Sequence, residues 1–181
     1  MLMSSANGFD REPLRLPPEL RKPLTGAVLV GSGKLGLFGL TVYEARLWAR
    51  PPFSAEHYER SEFALEIHYE RKLSGSAIAD RSIAEMHRIG SFSEKQSESW
   101  LHSMQAAFPD IDHGDRLTGY HDGTGHVAFF HNGAATASID DAEFARLFFG
   151  IWLSEKTSAR GLRADLIGAA GPGFEESDDA P

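Results

Sequence analysis

A glycine-rich segment, Gly31-Ser32-Gly33-Lys34-Leu35-Gly36, directly follows the apolar run at residues 27–30. Its G-x-G-x-x-G spacing is that of a dinucleotide-binding turn, which requires a helix immediately after it. Residues 37–49 instead contain a further glycine, β-branched residues and aromatic residues, and this composition favours a strand. We therefore interpret residues 31–36 as a tight turn between two antiparallel strands. A β-hairpin as the first element argues against a nucleotide-binding fold.

The rest of the chain changes between strand and helix patterns in a clear order. Period-two alternation predicts strands, and helical spacing with capping residues predicts helices. The strand patterns cover residues 63–69, 115–121, 126–131 and 134–139, and the helical patterns cover about 76–89, 93–108, 141–153 and 159–167. The resulting order, β-β-β-α-α-β-β-β-α-α, predicts an α+β fold with an antiparallel sheet covered on one face.

The two ends of the chain differ from its middle. Residues 1–22 are polar and contain several prolines, so we expect an N-terminal arm. Residues 23–168 form the single predicted domain. Residues 169–181 are acidic and rich in small residues, which predicts a disordered tail without a function of its own.

Composition excludes several classes of function. The chain has 181 residues, a net charge of −8 and no cysteine. The negative charge argues against a nucleic-acid partner. The absence of cysteine excludes disulfides, thiol nucleophiles and thiolate metal sites. No apolar run is long enough to span a bilayer. The sequence as given starts without an export signal, so we expect a cytoplasmic protein, or a periplasmic one if a signal peptide has been removed. The oligomeric state stays open.

Two groups of side chains invite a metal interpretation. His121 and His126 flank a predicted turn, and Asp110, Asp112 and Asp115 crowd a loop. Neither group has the ligand set of a structural zinc site or the spacing of a calcium loop. Surface histidines and turn chemistry explain them better, so we expect no metal and no cofactor.

Phenylalanines on a predicted strand and helix offer two interpretations. Phe129, Phe130, Phe148 and Phe149, together with Trp152, have spacings that are typical of core residues, and we favour a core role. The same residues would line an apolar pocket if the sheet and the helices were separated.

Four segments, read together, resemble the chalcone isomerase family, in its bacterial chalcone isomerase-like branch. Their order and spacing carry the resemblance, which extends over about residues 24–168. The resemblance implies an open-faced β-sandwich, in which a large antiparallel sheet is covered on one face by a layer of helices. It also implies a cleft between these layers, which the enzymes use for flavanone ring closure and the plastid relatives for fatty acids held by an arginine and a tyrosine. The segments are GSGKL with GLTVYEARLW (31–35 and 39–48), ALEIHY (64–69), FPD with GDRL (108–110 and 114–117), and FFGIWL closing on LIG (148–153 and 166–168).

The resemblance is unfavourable to chalcone isomerase activity. Lys34 stands where the enzymes have an arginine, and Tyr43 where they have a threonine, with Thr41 two residues earlier on the same face. Phe92 replaces the tyrosine that would polarise the substrate carbonyl, and Ser99 replaces an asparagine. Phenylalanine donates no hydrogen bond, and the loss of such a donor costs on the order of 10²–10³ in rate. We therefore expect no useful chalcone isomerase activity.

The preferred hypothesis is a non-catalytic domain whose cleft binds a fatty acid or similar amphipathic small molecule. In it, Lys34 meets a carboxylate at the mouth, Tyr43 offers a hydroxyl, and apolar walls come from Phe92 and Trp100. Two alternatives remain: an isomerase or lyase that uses Tyr43 and Lys34 on an unknown substrate, and an interaction module whose cleft is closed. The predicted ligand-binding residues are Lys34, Thr41, Tyr43, Phe92, Ser99 and Trp100.

Overall fold

The structure, a computed structural model, describes residues 14–168. It contains a six-stranded sheet in which every strand pairs antiparallel with its neighbour in sequence. The strands are β1 (Val28–Leu37), β2 (Leu40–Ala49), β3 (Glu62–Tyr69), β4 (Arg116–Asp122), β5 (His126–His131) and β6 (Ala134–Asp140); the helices are α1 (Gly75–Ile89), α2 (Glu94–Ala107), α3 (Ala142–Leu153) and α4 (Arg160–Ile167). The order of elements matches the sequence-based prediction.

The helices lie on one face of the sheet, and the main core fills the space between the two layers. Helix α3 is apolar nearly all round and occupies the centre of this layer. The ring of Phe148 lies 5.4 Å from that of Phe129 on β5, 5.3 Å from Phe144 and 5.2 Å from Phe149. This arrangement confirms the α+β fold with an antiparallel sheet covered on one face by helices.

The glycine-rich segment was placed wrongly by the sequence interpretation. Residues 31–36 lie inside strand β1, and the turn of the hairpin is formed by Phe38 and Gly39 instead. A Cβ added at Gly31 would lie 2.3 Å from the carbonyl oxygen of Asp165, and one at Gly33 would lie 2.8 Å from the Asp165 Cβ. Helix α4 therefore packs directly on the β1 backbone, and these glycines permit the close approach rather than a turn.

The outer face of the sheet is covered in part by the N-terminal segment. In this segment and just beyond it, Leu20 and Leu24 are completely buried against Trp48 and Ala64 on the outer face. The carboxylate of Glu19 also pairs with a β4 arginine on this face. The predictions for residues 1–13 and for the acidic tail at 169–181 lie outside the described residues.

Helix termini follow local sequence signals. Ser93 and Gln96 form the reciprocal capping box at the start of α2. Asp141 accepts hydrogen bonds from the first backbone amides of α3. Ser74 caps α1. These caps fix where the three helices begin, and thereby which α1 and α3 side chains face the sheet.

Candidate functional site

A cavity of about 430 Å³ lies between the sheet and helices α1 and α3. Its walls are mostly apolar. Phe129, Phe148, Phe149 and Trp152 both pack in the core and line the cavity, whereas Phe130 is half-buried and lies outside the lining. Lining residues that are exposed to solvent, among them Leu37, Ala77 and Arg81, mark a mouth between the β1–β2 hairpin and the first half of α1. The apolar walls include Leu65, Ile67, Leu73, Leu117, Phe129 and Phe148.

The polar groups of the cavity include a cluster where β2, α1 and the segment before α4 meet. Tyr43, Arg81, Glu85 and Ser158 all line the cavity. The guanidinium of Arg81 lies 2.8 Å from Glu85 Oε1, and the Ser158 hydroxyl donates to Glu85 Oε2 at 2.7 Å. Glu85 is buried, whereas the Arg81 side chain is 75% exposed. The cavity thus combines apolar walls with one end that carries both a cation and hydrogen-bond donors.

A β-bulge in β2 brings Val42 into the cavity lining beside Tyr43. Leu35 pairs with Tyr43 and Gly36 with Thr41, so Val42 is the extra residue on β2. Tyr43 faces the cavity by regular alternation with the buried Ala45 and Leu47. The bulge breaks this alternation, so Val42, the next residue along the strand, lines the cavity as well. The Val42 carbonyl still accepts a hydrogen bond of 2.9 Å from the Glu70 amide, which fixes the bulged strand against the end of β3.

The Tyr43 hydroxyl is held as a protonated donor. Burial raises the pKa of Tyr43 to about 12, the hydrogen bond from Trp152 opposes this rise, and the charge of Glu85 adds to it. Trp152 Nε1 donates to the Tyr43 oxygen at 3.0 Å. Among residues 14–168 the hydroxyl proton itself has no hydrogen-bond acceptor. A ligand oxygen in the cavity can therefore accept it.

The structure brings only Tyr43, among the predicted ligand-binding residues, to this cavity. Lys34 is exposed and pairs in register with Glu44, so it points to the face of β1 opposite Leu35, which lines the cavity. Thr41 lies at the end of β2 beside the hairpin turn, outside the lining. The expected position of Lys34 at the mouth is therefore corrected.

Phe92, Trp100 and Ser99 also lie elsewhere. The Phe92 ring stacks on the His87 ring with 4.0 Å between the ring centroids, and its centroid lies 5.0 Å from that of Trp100. Trp100 Nε1 donates to the Asp141 carboxylate at 2.9 Å. This cluster packs the helices on one another and does not line the cavity. Ser99 is exposed on α2. The apolar walls expected from Phe92 and Trp100 come from the sheet and α3 instead.

Sequence reasoning missed Arg81, Glu85 and Ser158. The available signal was the i, i+4 spacing of Arg81 and Glu85, which predicts an ion pair on α1 but not the direction in which it faces. That direction depends on how α1 packs on the sheet.

The sequence matches the chalcone isomerase-like family over residues 27–168. The chain belongs to this family. This confirms the resemblance that the sequence segments indicated. The match leaves out the first 26 residues and the acidic end, in agreement with the position of the six-stranded sheet and its helices.

Two similar proteins share a small part of their sequence with this chalcone isomerase-like protein. A Haemophilus influenzae protein of uncharacterised function is 30% identical over 113 residues, which is 61% of this chain and 55% of that protein. The match therefore spans about half of that relative's length. The crystal structure of a fatty-acid binding protein from Arabidopsis thaliana superimposes with a TM-score of 0.62 at 15% identity, covering 81% of this chain and 89% of that chain. At this identity the superposition shows a common fold.

Metal-binding clusters and membrane-spanning helices are both missing from the described residues. Within residues 14–168 no three histidine or carboxylate side chains are grouped so that they could hold a metal ion. None of the helices in the same part of the chain has the length and hydropathy needed to cross a bilayer.

Proposed function

We propose that this chalcone isomerase-like protein binds an amphipathic small molecule, with a fatty acid as the favoured class. The observation that carries the proposal is the apolar cavity with Tyr43 and Arg81 at one end. Its volume of about 430 Å³ falls within the usual range of ligand cavities, about 300–1,000 Å³. An apolar chain gains hydrophobic free energy along the walls, while the few polar groups select the headgroup.

The donors at the polar end favour an acidic headgroup. The Arg81 guanidinium lies 2.8 Å from Glu85 Oε1, and the other Glu85 oxygen accepts from the Ser158 hydroxyl at 2.7 Å. A guanidinium has five N–H donors, so the Arg81 pair with Glu85 leaves others available. Tyr43 adds a neutral donor that stays protonated across the physiological pH range. A carboxylate placed here would accept from both side chains.

The fold comparison supports the same class of ligand. The superimposed Arabidopsis protein is a fatty-acid binding protein, and this chain shares its fold. Because a common fold does not establish a common function, the ligand assignment depends on the cavity chemistry and on direct binding measurements.

The test of the headgroup uses two arginines on the same helix. We expect Arg81→Gln to weaken binding of a long-chain fatty acid about three- to tenfold, because a charge-assisted hydrogen bond is lost, and to leave binding of the alcohol of equal chain length almost unchanged. Arg88→Gln is the matched control, because Arg88 also approaches Glu85 but does not line the cavity. Isothermal titration calorimetry measures both ligands. Equal losses for acid and alcohol would contradict the headgroup assignment.

The test of the cavity itself is steric. Ala77 lies at the mouth and is exposed, so Ala77→Trp should fold normally and obstruct entry. We expect this variant to lose saturable binding of a fluorescent fatty acid, while its melting temperature stays close to that of the wild type. Wild-type protein that shows no saturable binding of fatty acids of any chain length would overturn the proposal.

The enzyme alternative with Tyr43 and Lys34 receives no support from the geometry. A tyrosine that acts as a base needs a neighbouring cation to lower its pKa, but Lys34 lies on the opposite face of its strand and burial raises the pKa of Tyr43. The absence of chalcone isomerase activity stays a prediction. Phe92, in the position of the enzymes' tyrosine, packs against His87 away from the cavity. A spectrophotometric assay with a chalcone as substrate tests the predicted absence of activity.

A further inference from the structure

Two hairpins of this protein have the same turn geometry but different turn residues. The β5–β6 loop is Asn132-Gly133, with φ of 48° and 87°, and the β1–β2 loop is Phe38-Gly39, with φ of 51° and 74°. Positive φ at both central residues is typical of a type I′ turn, for which Asn-Gly is the preferred sequence. A bulky residue at positive φ is an outlier. Phenylalanine at position 38 is therefore unfavourable for the local backbone.

The Phe38 side chain is also unfavourably placed with respect to water. It is 93% exposed, and its neighbours Leu37 and Leu40 are 61% and 52% exposed. By contrast, the side chain of Asn132 binds the start of β4, where it accepts from the Arg116 amide at 2.9 Å and donates to Asp115 at 3.0 Å. A residue that is unfavourable both for its backbone conformation and for its exposure to water indicates a role in binding something other than the protein itself.

The apolar tip, defined as Leu37, Phe38 and Leu40, is continuous with the mouth of the cavity. Leu37 belongs to both, and the preceding residues Leu35 and Gly36 line the cavity. An apolar path therefore runs along the end of the hairpin from the protein surface into the cavity. A surface that meets this tip meets the cavity entrance as well.

We propose that the apolar tip docks into the interfacial layer of a lipid bilayer, so that an amphipathic ligand passes between the bilayer and the cavity without crossing water. The proposal rests on the proposed ligand-binding function. The binding partner of the apolar tip is a lipid surface, because the proposed ligand class partitions into lipid and the path from the tip to the cavity is apolar. The net charge of −8 favours a neutral surface over an anionic one. A few inserted side chains give weak, reversible binding, which suits a carrier.

The test uses the second hairpin as its template. Phe38→Asn converts the tip turn to the Asn-Gly sequence of β5–β6, so its melting temperature should equal or exceed that of the wild type. We expect wild-type protein to sediment with sucrose-loaded phosphatidylcholine vesicles, and Phe38→Asn to partition about tenfold less. Leu40→Thr should also lower the partitioning of the protein into vesicles. Val28→Thr is the control, because Val28 is 48% exposed at the opposite end of β1 and should leave partitioning unchanged.

A binding measurement without vesicles separates this proposal from the ligand assignment. If the ligand proposal is correct, Phe38→Asn binds fatty acid in solution like the wild type but takes it up from vesicles more slowly. If the protein bound no fatty acid but still docked to vesicles, only the ligand proposal would be refuted. The docking proposal would be overturned if the wild type did not sediment with vesicles, or if Phe38→Asn sedimented equally. It would also be overturned if ultracentrifugation showed a wild-type dimer that is lost in Phe38→Asn.

Discussion

His121 on β4 is a histidine held inside the core. It is 1% exposed, with the rings of Phe63 and Phe149 at 5.4 and 5.8 Å. Its Nδ1 lies 2.9 Å from the Ser61 carbonyl oxygen, which only accepts, so Nδ1 carries the proton. The Nε2 lone pair is buried with no partner among the described residues. Sequence reasoning treated this histidine as a surface residue, and that interpretation was wrong.

The burial of His121 predicts a pH-dependent stability. Burial lowers the pKa of His121, and the hydrogen bond to the Ser61 carbonyl opposes this only in part. Below the ordinary value of 6.5 the unfolded chain binds a proton that the folded protein does not, so the free energy of unfolding falls as the pH falls. We expect His121→Phe to reduce this slope between pH 7 and pH 5 in urea titrations. His102→Gln, at an exposed position, is the control. An identical slope in His121→Phe would contradict this account.

At the scale of elements, the glycine-rich part of β1 allows helix α4 to lie on the strand backbone. Gly31 contacts the last turn of the helix, and Gly33 contacts Asp165 and Leu162. Gly36, on the same strand, would place a Cβ no closer than 3.6 Å to another residue. The three glycines look alike in the sequence but meet different neighbours.

This difference gives a graded prediction for alanine substitutions. We expect Gly31→Ala to destabilise the protein by about 1–3 kcal/mol, since the added methyl group meets backbone atoms that cannot move without displacing α4. Gly33→Ala should cost less, because two of the three atoms that it meets, Asp165 Oδ2 and Leu162 Cδ1, lie at the ends of flexible side chains. Gly36→Ala is the control and should stay within about 0.5 kcal/mol of the wild type. Chemical denaturation measures all three. Equal effects at positions 31 and 36 would show that α4 does not pack this closely.

At the scale of the whole molecule, the N-terminal segment joins the outer face of the sheet through a buried ion pair as well as through Leu20 and Leu24. The Glu19 side chain is 1% exposed and pairs with Arg116 on β4. The Thr118 hydroxyl donates to the same carboxylate at 2.8 Å. Burial acts to raise the pKa of Glu19, but the hydrogen bonds from Arg116 and Thr118 outweigh it and hold the pKa below its usual value.

The Glu19 pair predicts a stability contribution that depends on pH. Because the folded-state pKa is lowered, the contribution is complete above the ordinary value of 4.5 and is lost as the pH falls through the folded-state pKa. We expect Glu19→Gln to destabilise the protein by about 1–3 kcal/mol at pH 7, since it leaves Arg116 without its charge partner. The difference from the wild type should shrink in acid. Glu56→Gln, at an exposed position, is the control. A deficit that is constant with pH would contradict the ion-pair account.

The order of elements was predictable because its signals are local. Period-two and helical spacings, the capping box of α2 and the Asn-Gly turn each act within a few residues. The position of the first turn was less predictable, because glycines at 31, 33, 36 and 39 are all compatible with a turn. Only the packing of α4 shows that Gly31 and Gly33 permit the close contact between the helix and β1.

The sequence by itself determined the family, the antiparallel sheet and the place of Tyr43 on its second strand. Tertiary structure decided the rest of the candidate site. Arg81 and Glu85 lie near Tyr43 only because α1, which packs on α3, faces the cavity, and Lys34 is excluded by the register of β1 against β2. Periodicity records which residues share a face of one element, whereas a cavity forms where faces of different elements meet, and that meeting depends on contacts distant in the chain.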